Sequence, residues 1–144
     1  MVTLASYLVL PGNTEEAFKF YKAAFGGEIM GIQRYKDIFP GDKRLTKKDE
    51  NKVQHMAMRI GKDDILMGSD FVESFMGKLV RGNDYVISVF PDSKAEAQKL
   101  FKALSEGGEI EIPMDDHPWG GYDGLCRDKF GVRCTVYYYA PESK

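Results

Sequence analysis

Residues 16–23 read Glu-Ala-Phe-Lys-Phe-Tyr-Lys-Ala and residues 96–103 read Glu-Ala-Gln-Lys-Leu-Phe-Lys-Ala, identical at five of eight positions. Each segment runs on into Gly-Gly-Glu-Ile, at 26–29 and, after a one-residue insertion, at 107–110. Each also follows an apolar run closed by a proline: Tyr7–Leu10 before Pro11, and Tyr85–Phe90 before Pro91. Strand, turn, helix and stop recur in the same order, so one supersecondary unit used twice must organise any fold this chain adopts.

Within each copy the residues specify a strand, a cap and an amphipathic helix. Asn13 with Glu16, and Ser93 with Glu96, have capping-box spacing, a short polar acceptor followed three residues on by a carboxylate. Phe18, Tyr21 and Phe25 fall on one stripe flanked by Ala17, Phe20 and Ala24, and Ala97, Leu100, Phe101 and Leu104 form the equivalent stripe. The Gly-Gly pairs suit the left-handed position that ends a helix. Further strands are predicted at 28–35, 53–60, 65–68, 109–112, 125–127 and 132–139, the last two as a hairpin around Asp128-Lys-Phe-Gly131. In the strand at 53–60, Met56, Met58 and Ile60 face one way and His55, Ala57 and Arg59 the other. The expectation is an α+β fold of two tandem β-α-β-β-β modules, about residues 1–70 and 84–140. Residues 71–84 link them with no long flexible tract, so residues 1–144 are expected to make a single domain.

Composition narrows the function. At 43% hydrophobic and 29% charged residues the chain is of globular type, and 144 residues suffice for a core without metal or disulfide staples. A net charge of −2 provides no basic footprint for nucleic acid. No apolar run approaches the ~20 residues of a membrane span, and the first residues lack the charged and apolar regions of a secretory signal. A cytoplasmic protein without membrane or nucleic-acid partners is expected. Cys126 and Cys134 could oppose each other across the last hairpin, and are read as reduced, buried, inert thiols. No Gly-x-Gly-x-x-Gly follows a strand, and neither a Gly-x-Ser-x-Gly elbow nor a phosphate-binding loop is present.

Four blocks in order along the chain carry a family resemblance. Residues 13–27 resemble the first-helix signature of PhnB-like proteins in the glyoxalase/bleomycin-resistance/dioxygenase (vicinal oxygen chelate) superfamily. Residues 53–60, 65–70, and 118–124 followed by Asp128-Lys-Phe-Gly-Val132 are similar to the same group. Cys134 departs from it, standing where the group usually carries tryptophan. The resemblance implies paired modules whose strands form a curled mixed sheet around a ligand cavity, in a homodimer. The aromatic last strand and Phe71, Phe75 and Met76 would offer apolar surface for that dimer.

Metal-dependent members place His or Glu on equivalent strands of the two modules. Carried over, those positions are Ser6, Met67, Asp84 and Thr135, of which only Asp84 is a competent ligand, whereas a catalytic ion normally takes three. No metal and no cofactor are therefore expected. His55 is either a ligand contact or proton-transfer group, or a hydrogen-bonded histidine at a strand start. His117, in Asp115-Asp-His-Pro-Trp119, is read as part of a solvated loop. Trp119 and Tyr137, the latter sharing a face with Thr135 and Tyr139, either line the cavity or fill an interface. The charged stretch 37–52 is either a lid or a solvated loop. The expected function is small-molecule binding without a metal, with Ser6, His55, Met67, Asp84, Trp119, Thr135 and Tyr137 as ligand contacts. The alternatives are a metal-dependent lyase, isomerase or dioxygenase acting on a small oxygenated substrate, and a dimer with a vestigial cavity.

Overall fold

The computed structural model describes residues 1–141, and the fold is α+β. It divides into two compact units, Met1–Arg81 and Gly82–Lys144, so residues 71–81 of the expected linker belong with the first.

The first unit runs β1 (Ser6–Leu10), α1 (Thr14–Phe25), β2 (Glu28–Arg34), α2 (Tyr35–Ile38), β3 (Val53–Ile60), β4 (Asp64–Asp70) and α3 (Glu73–Met76). Its four strands form one mixed sheet in the order β1-β4-β3-β2, with β1 parallel to β4 and the other pairs antiparallel. The apolar stripe of α1 decides which face is covered. Ala17, Phe18 and Tyr21 are buried against Leu8, Leu10, Met56, Met58 and Leu66, while Phe25 at the end of the stripe is only half-buried.

One cap differs from its expectation. The Asn13 side chain makes no capping bond. Asp70, at the end of β4, takes its place: one carboxylate oxygen accepts from Thr14 N at 2.9 Å and the other from Val53 N at 2.8 Å. A buried carboxylate thus closes the helix start and the strand start together, and the adjoining Asp70 carbonyl accepts from the Tyr35 hydroxyl at 2.8 Å. Tyr35 and Phe39 gather Phe75 by ring contact (centroids 5.6 and 5.0 Å from it), and the Arg44 guanidinium sits 4.2 Å from the Phe75 centroid. Phe75 is therefore engaged within its own unit. Beyond α2 the charged stretch is a series of turns over 39–52, and Tyr35 N is bonded to Lys52 O at 3.0 Å and Lys36 N to Glu50 O at 2.9 Å.

The second unit runs β5 (Ile87–Val89), α4 (Lys94–Ser105), β6 (Glu109–Asp116), β7 (Gly121–Arg127) and β8 (Arg133–Tyr139), in the sheet order β5-β8-β7-β6. The topology repeats that of the first sheet, β5 being parallel to β8. Strands β6 and β7 are longer than the sequence suggested, because antiparallel pairing continues to Asp116↔Tyr122 past two irregularities. Ser93 behaves as predicted, its Oγ accepting from Glu96 N at 3.0 Å. Ala97, Leu100, Phe101 and Leu104 are buried, as are Cys126, Cys134 and Val136 beneath them.

The repeated glycine pairs do two jobs. The first of each pair, Gly26 and Gly107, has φ of 73° and 76°, the left-handed turn that leaves a helix. At the second, Gly27 and Gly108, a Cβ would lie 2.3 Å from Arg59 O and 2.1 Å from Arg127 O. The strand leaving each helix passes too close to its neighbour for any side chain.

Asp70→Ala should destabilise the protein by about 3 kcal/mol, since it orphans two buried backbone donors of a charge-assisted pair. Asn13→Ala should change stability by less than about 0.5 kcal/mol. Chemical denaturation measures both, and an Asn13 effect as large as that of Asp70 would contradict this assignment of the cap.

Candidate functional site

A strand turns successive side chains to opposite faces, so covering one face of a sheet with a helix consigns every other residue to the second face. In the second unit the helix side takes Tyr122, Cys126, Cys134 and Val136. Gln98 and Lys94 of α4 reach Tyr122 from above, through a 3.1 Å hydrogen bond and a cation–ring contact at 4.5 Å. The opposite face therefore carries Ser88, Asp123, Leu125, Thr135, Tyr137 and Tyr139, with Ser88 opposite Thr135 and Asp123 opposite Tyr137.

Asp123 organises this face. It is 6% exposed, yet its Oδ1 lies 2.7 Å from His117 Nε2 and its Oδ2 accepts from Trp119 Nε1 at 3.0 Å. The imidazole and indole stack with centroids 4.5 Å apart and planes within 4°. The tight turn between β6 and β7 sets this up, with His117 N bonded to Gly121 O at 2.9 Å and Gly120 N to His117 O at 3.0 Å. The Tyr137 ring lies over Gly121, leaving no room there for a Cβ, and meets the Tyr139 ring with centroids 4.4 Å apart and planes tilted by 36°. Burial, the hydrogen bond with Tyr139 and the charge of Asp123 push the Tyr137 phenol up to about 12. Phe90 stands 6.2 Å from Tyr137 and Trp119 is 60% exposed, so the cluster presents aromatic surface over a buried charge.

In the first unit the corresponding face carries Tyr7, His55, Ala57 and Met67. Tyr7 is opposite Met67 and Met67 opposite Ala57. The Tyr7 hydroxyl lies 3.1 Å from His55 Nδ1, with the rings 5.6 Å apart. His55 thus turns away from Met56 and Met58, as its alternation predicts.

The strand registers shift two of the proposed positions. Ser6 pairs with Leu66 and shares the helix side with Leu8 and Leu10, so Tyr7 is the β1 residue level with Met67. Its equivalent on β5 is Ser88, level with Thr135, whereas Asp84 precedes β5 and has no strand partner. Ser6 thus stands one residue before Tyr7, and Asp84 four residues before Ser88. His117, read from sequence as solvated, is half-buried on Asp123, because its loop is a tight turn rather than an open one. Asp123 itself was missed. The same hairpin register that sets Cys126 opposite Cys134 also sets Asp123 opposite Tyr137, and that was the signal available.

The resemblance to metal-dependent proteins would set imidazoles or carboxylates at these positions. On the first sheet Tyr7 with Met67 offers a phenol and a thioether, and on the second Ser88 with Thr135 offers two hydroxyls. Among the described residues no group of three or more His, Cys, Asp or Glu is placed to hold a metal. Both cysteines are free and buried. Burial and the nearby Asp128 charge raise the Cys126 thiol to about 11 and raise Cys134 further, which suppresses thiolate chemistry. A separate cavity of about 520 Å³ in the first unit, near the start of α1, is lined by Asn13, Glu15, Lys19, Arg34 and Asp70 among others. Its charges largely neutralise one another, Arg34 pairing with Glu15 at 3.0 Å. No helix among the described residues is long and apolar enough to cross a membrane.

Residues 3–136 match the sequence profile of the Glyoxalase/Bleomycin resistance protein/Dioxygenase superfamily. The chain is similar to the crystal structure of protein PA1353 from Pseudomonas aeruginosa, with 30% identity and a TM-score of 0.81 over 96% of this chain and 98% of that one. The PhnB protein from Bacillus cereus has the same fold at 24% identity, with a TM-score of 0.75 over 95% and 99% of the two chains. A curated relative, the NADPH-dependent 7-cyano-7-deazaguanine reductase of Legionella pneumophila (strain Corby), is 34% identical over 64 residues. That stretch is 38% of this chain and only 22% of the reductase.

Alkaline difference spectroscopy tests the Tyr137 environment. The neutral phenol is favoured in the fold, so its stabilising effect is whole below the ordinary value of 10 and is lost as pH rises through about 12. Tyr137→Phe should remove one late-titrating phenol, and Asp123→Asn should move that titration back toward 10. A Tyr137 that ionises near 10 in the unaltered protein would contradict this geometry.

Proposed function

The chain belongs to the Glyoxalase/Bleomycin resistance protein/Dioxygenase superfamily, and on that premise we propose that it is a small-molecule-binding protein that holds its ligand without a divalent metal. The observation that supports this best is the buried carboxylate of Asp123, which fixes His117 and Trp119 while Tyr137 stands opposite it. A small-molecule site generally combines apolar, aromatic surface with a few positioned polar groups, and this face has both. Trp119, Tyr137 and Thr135 are the proposed contacts on the second sheet, with Ser88 beside them. On the first sheet, taken by itself, His55 and Met67 are proposed contacts together with Tyr7. The absence of imidazole and carboxylate at the chelating positions favours binding by ring contact and hydrogen bonds over a metal-dependent lyase, isomerase or dioxygenase reaction.

The protein is proposed to act in the cytoplasm as a homodimer. Ile110 and Ile112 on the edge strand β6 are about half exposed and support the dimer by offering apolar surface to a second copy.

Two measurements test the proposal. A screen of small aromatic compounds should raise the melting temperature of the unaltered protein, and a Trp119→Ala, Tyr137→Ala double variant should lose most of that shift. Equal stabilisation of both proteins, or a stoichiometric divalent ion in elemental analysis of the purified protein, would overturn it. Sedimentation should give a species of twice 16.3 kDa at micromolar concentration, and a monomer there would remove the dimer.

A further inference from the structure

We infer that the His117–Asp123 pair makes this face selective for an aromatic ring carrying a neutral O–H donor, in the simplest case a phenol. The inference deepens the binding function proposed above and rests on it.

The tautomer of His117 follows from its partners. Nε2 is 2.7 Å from Asp123 Oδ1 and 3.2 Å from the Asp123 backbone oxygen. An ionised carboxylate and a carbonyl can only accept, so the proton must reside on Nε2. The other carboxylate oxygen is taken by Trp119 Nε1, which can only donate, so Asp123 has no reason to surrender its acceptor role. In the neutral imidazole, that form leaves Nδ1 as a lone pair. Nδ1 has no partner among the described residues and is not among the sealed polar atoms that lack one. The structure thus holds a fixed, unused hydrogen-bond acceptor on a ring that cannot rotate without breaking two contacts.

The surroundings select the rest of the ligand. The acceptor belongs to a ring stacked on Trp119, and the indole is 60% exposed. Tyr137 and Tyr139 add a second ring pair on the same sheet face, with Phe90 close by and 66% exposed. Such surface favours a flat aromatic partner. The Asp123 charge, shielded from water at 6% exposure, disfavours an anion and so favours the protonated hydroxyl over a phenolate or carboxylate.

The test uses p-cresol and its methyl ether, which share a ring but differ in the donor. Each is titrated into the unaltered protein and followed by nuclear magnetic resonance shifts, with the imidazole nitrogen resonances reporting the His117 tautomer. The unaltered protein should show the Nε2–H tautomer and bind p-cresol about five- to tenfold more tightly than the ether, the range expected for one neutral hydrogen bond. Asp123→Asn puts an amide where a carboxylate accepted, so it should shift the tautomer and bring the affinities for the two probes together. His117→Phe keeps a ring on Trp119 and should likewise bind the two probes equally. Equal affinity for the two probes in the unaltered protein would overturn the selectivity yet leave aromatic binding standing. Failure of both probes to bind would overturn the phenol class, and a preference that survives in both variants would take His117 out of the site. If the Trp119→Ala, Tyr137→Ala variant binds p-cresol as well as the unaltered protein does, the binding face itself has been misplaced.

Discussion

Each module depends on burying one face of a four-stranded sheet beneath a single amphipathic helix. Phe18 and Tyr21 in α1, and Leu104 in α4, are almost fully buried, each contributing about 1.5–3 kcal/mol relative to exposure. The alternation of the strands turns this packing into a sorting rule, since a side chain beneath the helix cannot also meet a ligand. Met56, Met58, Cys126 and Cys134 are on the packed side, which buries both thiols. His55, Met67, Asp123, Thr135 and Tyr137 are on the other. Each strand thereby turns alternate side chains away from its helix.

Two buried aspartates then set the details. Asp70 joins the start of α1 to the start of β3, so the helix is anchored to the sheet through a charge. Asp123 joins the β6–β7 turn to the face of the sheet through His117 and Trp119. A buried carboxylate is costly unless its oxygens are satisfied, and both of these are met by donors. A satisfied buried network resists alternatives, because any rearrangement would expose an unpaired charge to a low dielectric. Asp123 thus gives a loop side chain such as Trp119 a definite position.

The two capping sites show what can be read along the chain. Ser93 and Glu96 are three residues apart, and the bond between them formed as local spacing predicts. Asn13 and Glu16 have the same spacing, but Asp70, fifty-six residues away, reaches the helix start with a full charge and displaces the weaker local cap. The same contrast separates Tyr137 from its partner. Its placement with Thr135 and Tyr139 follows from period-two alternation within one strand. Its position opposite Asp123 needs the hairpin register, which the Cys126–Cys134 pairing already implied. Ser6 and Asp84 stand one and four residues before Tyr7 and Ser88 for a related reason, because a count along the chain carries no strand register.

The sequence by itself determined the doubled module, its α+β class, the buried stripes of both helices and the alternation of faces along each strand. These are periodic or nearest-neighbour properties, set by backbone geometry over a few residues and repeated in the second copy. Only the tertiary structure decided which residues of each unit lie together: Tyr7 beside His55 in the first, and Asp123 beneath His117 and Trp119 and Ser88 level with Thr135 in the second. Those contacts depend on strand register and, at the β6–β7 turn, on a loop geometry that brings side chains within 3 Å or so. A shift of one residue exchanges the two faces of a strand, and nothing local to the chain measures that shift.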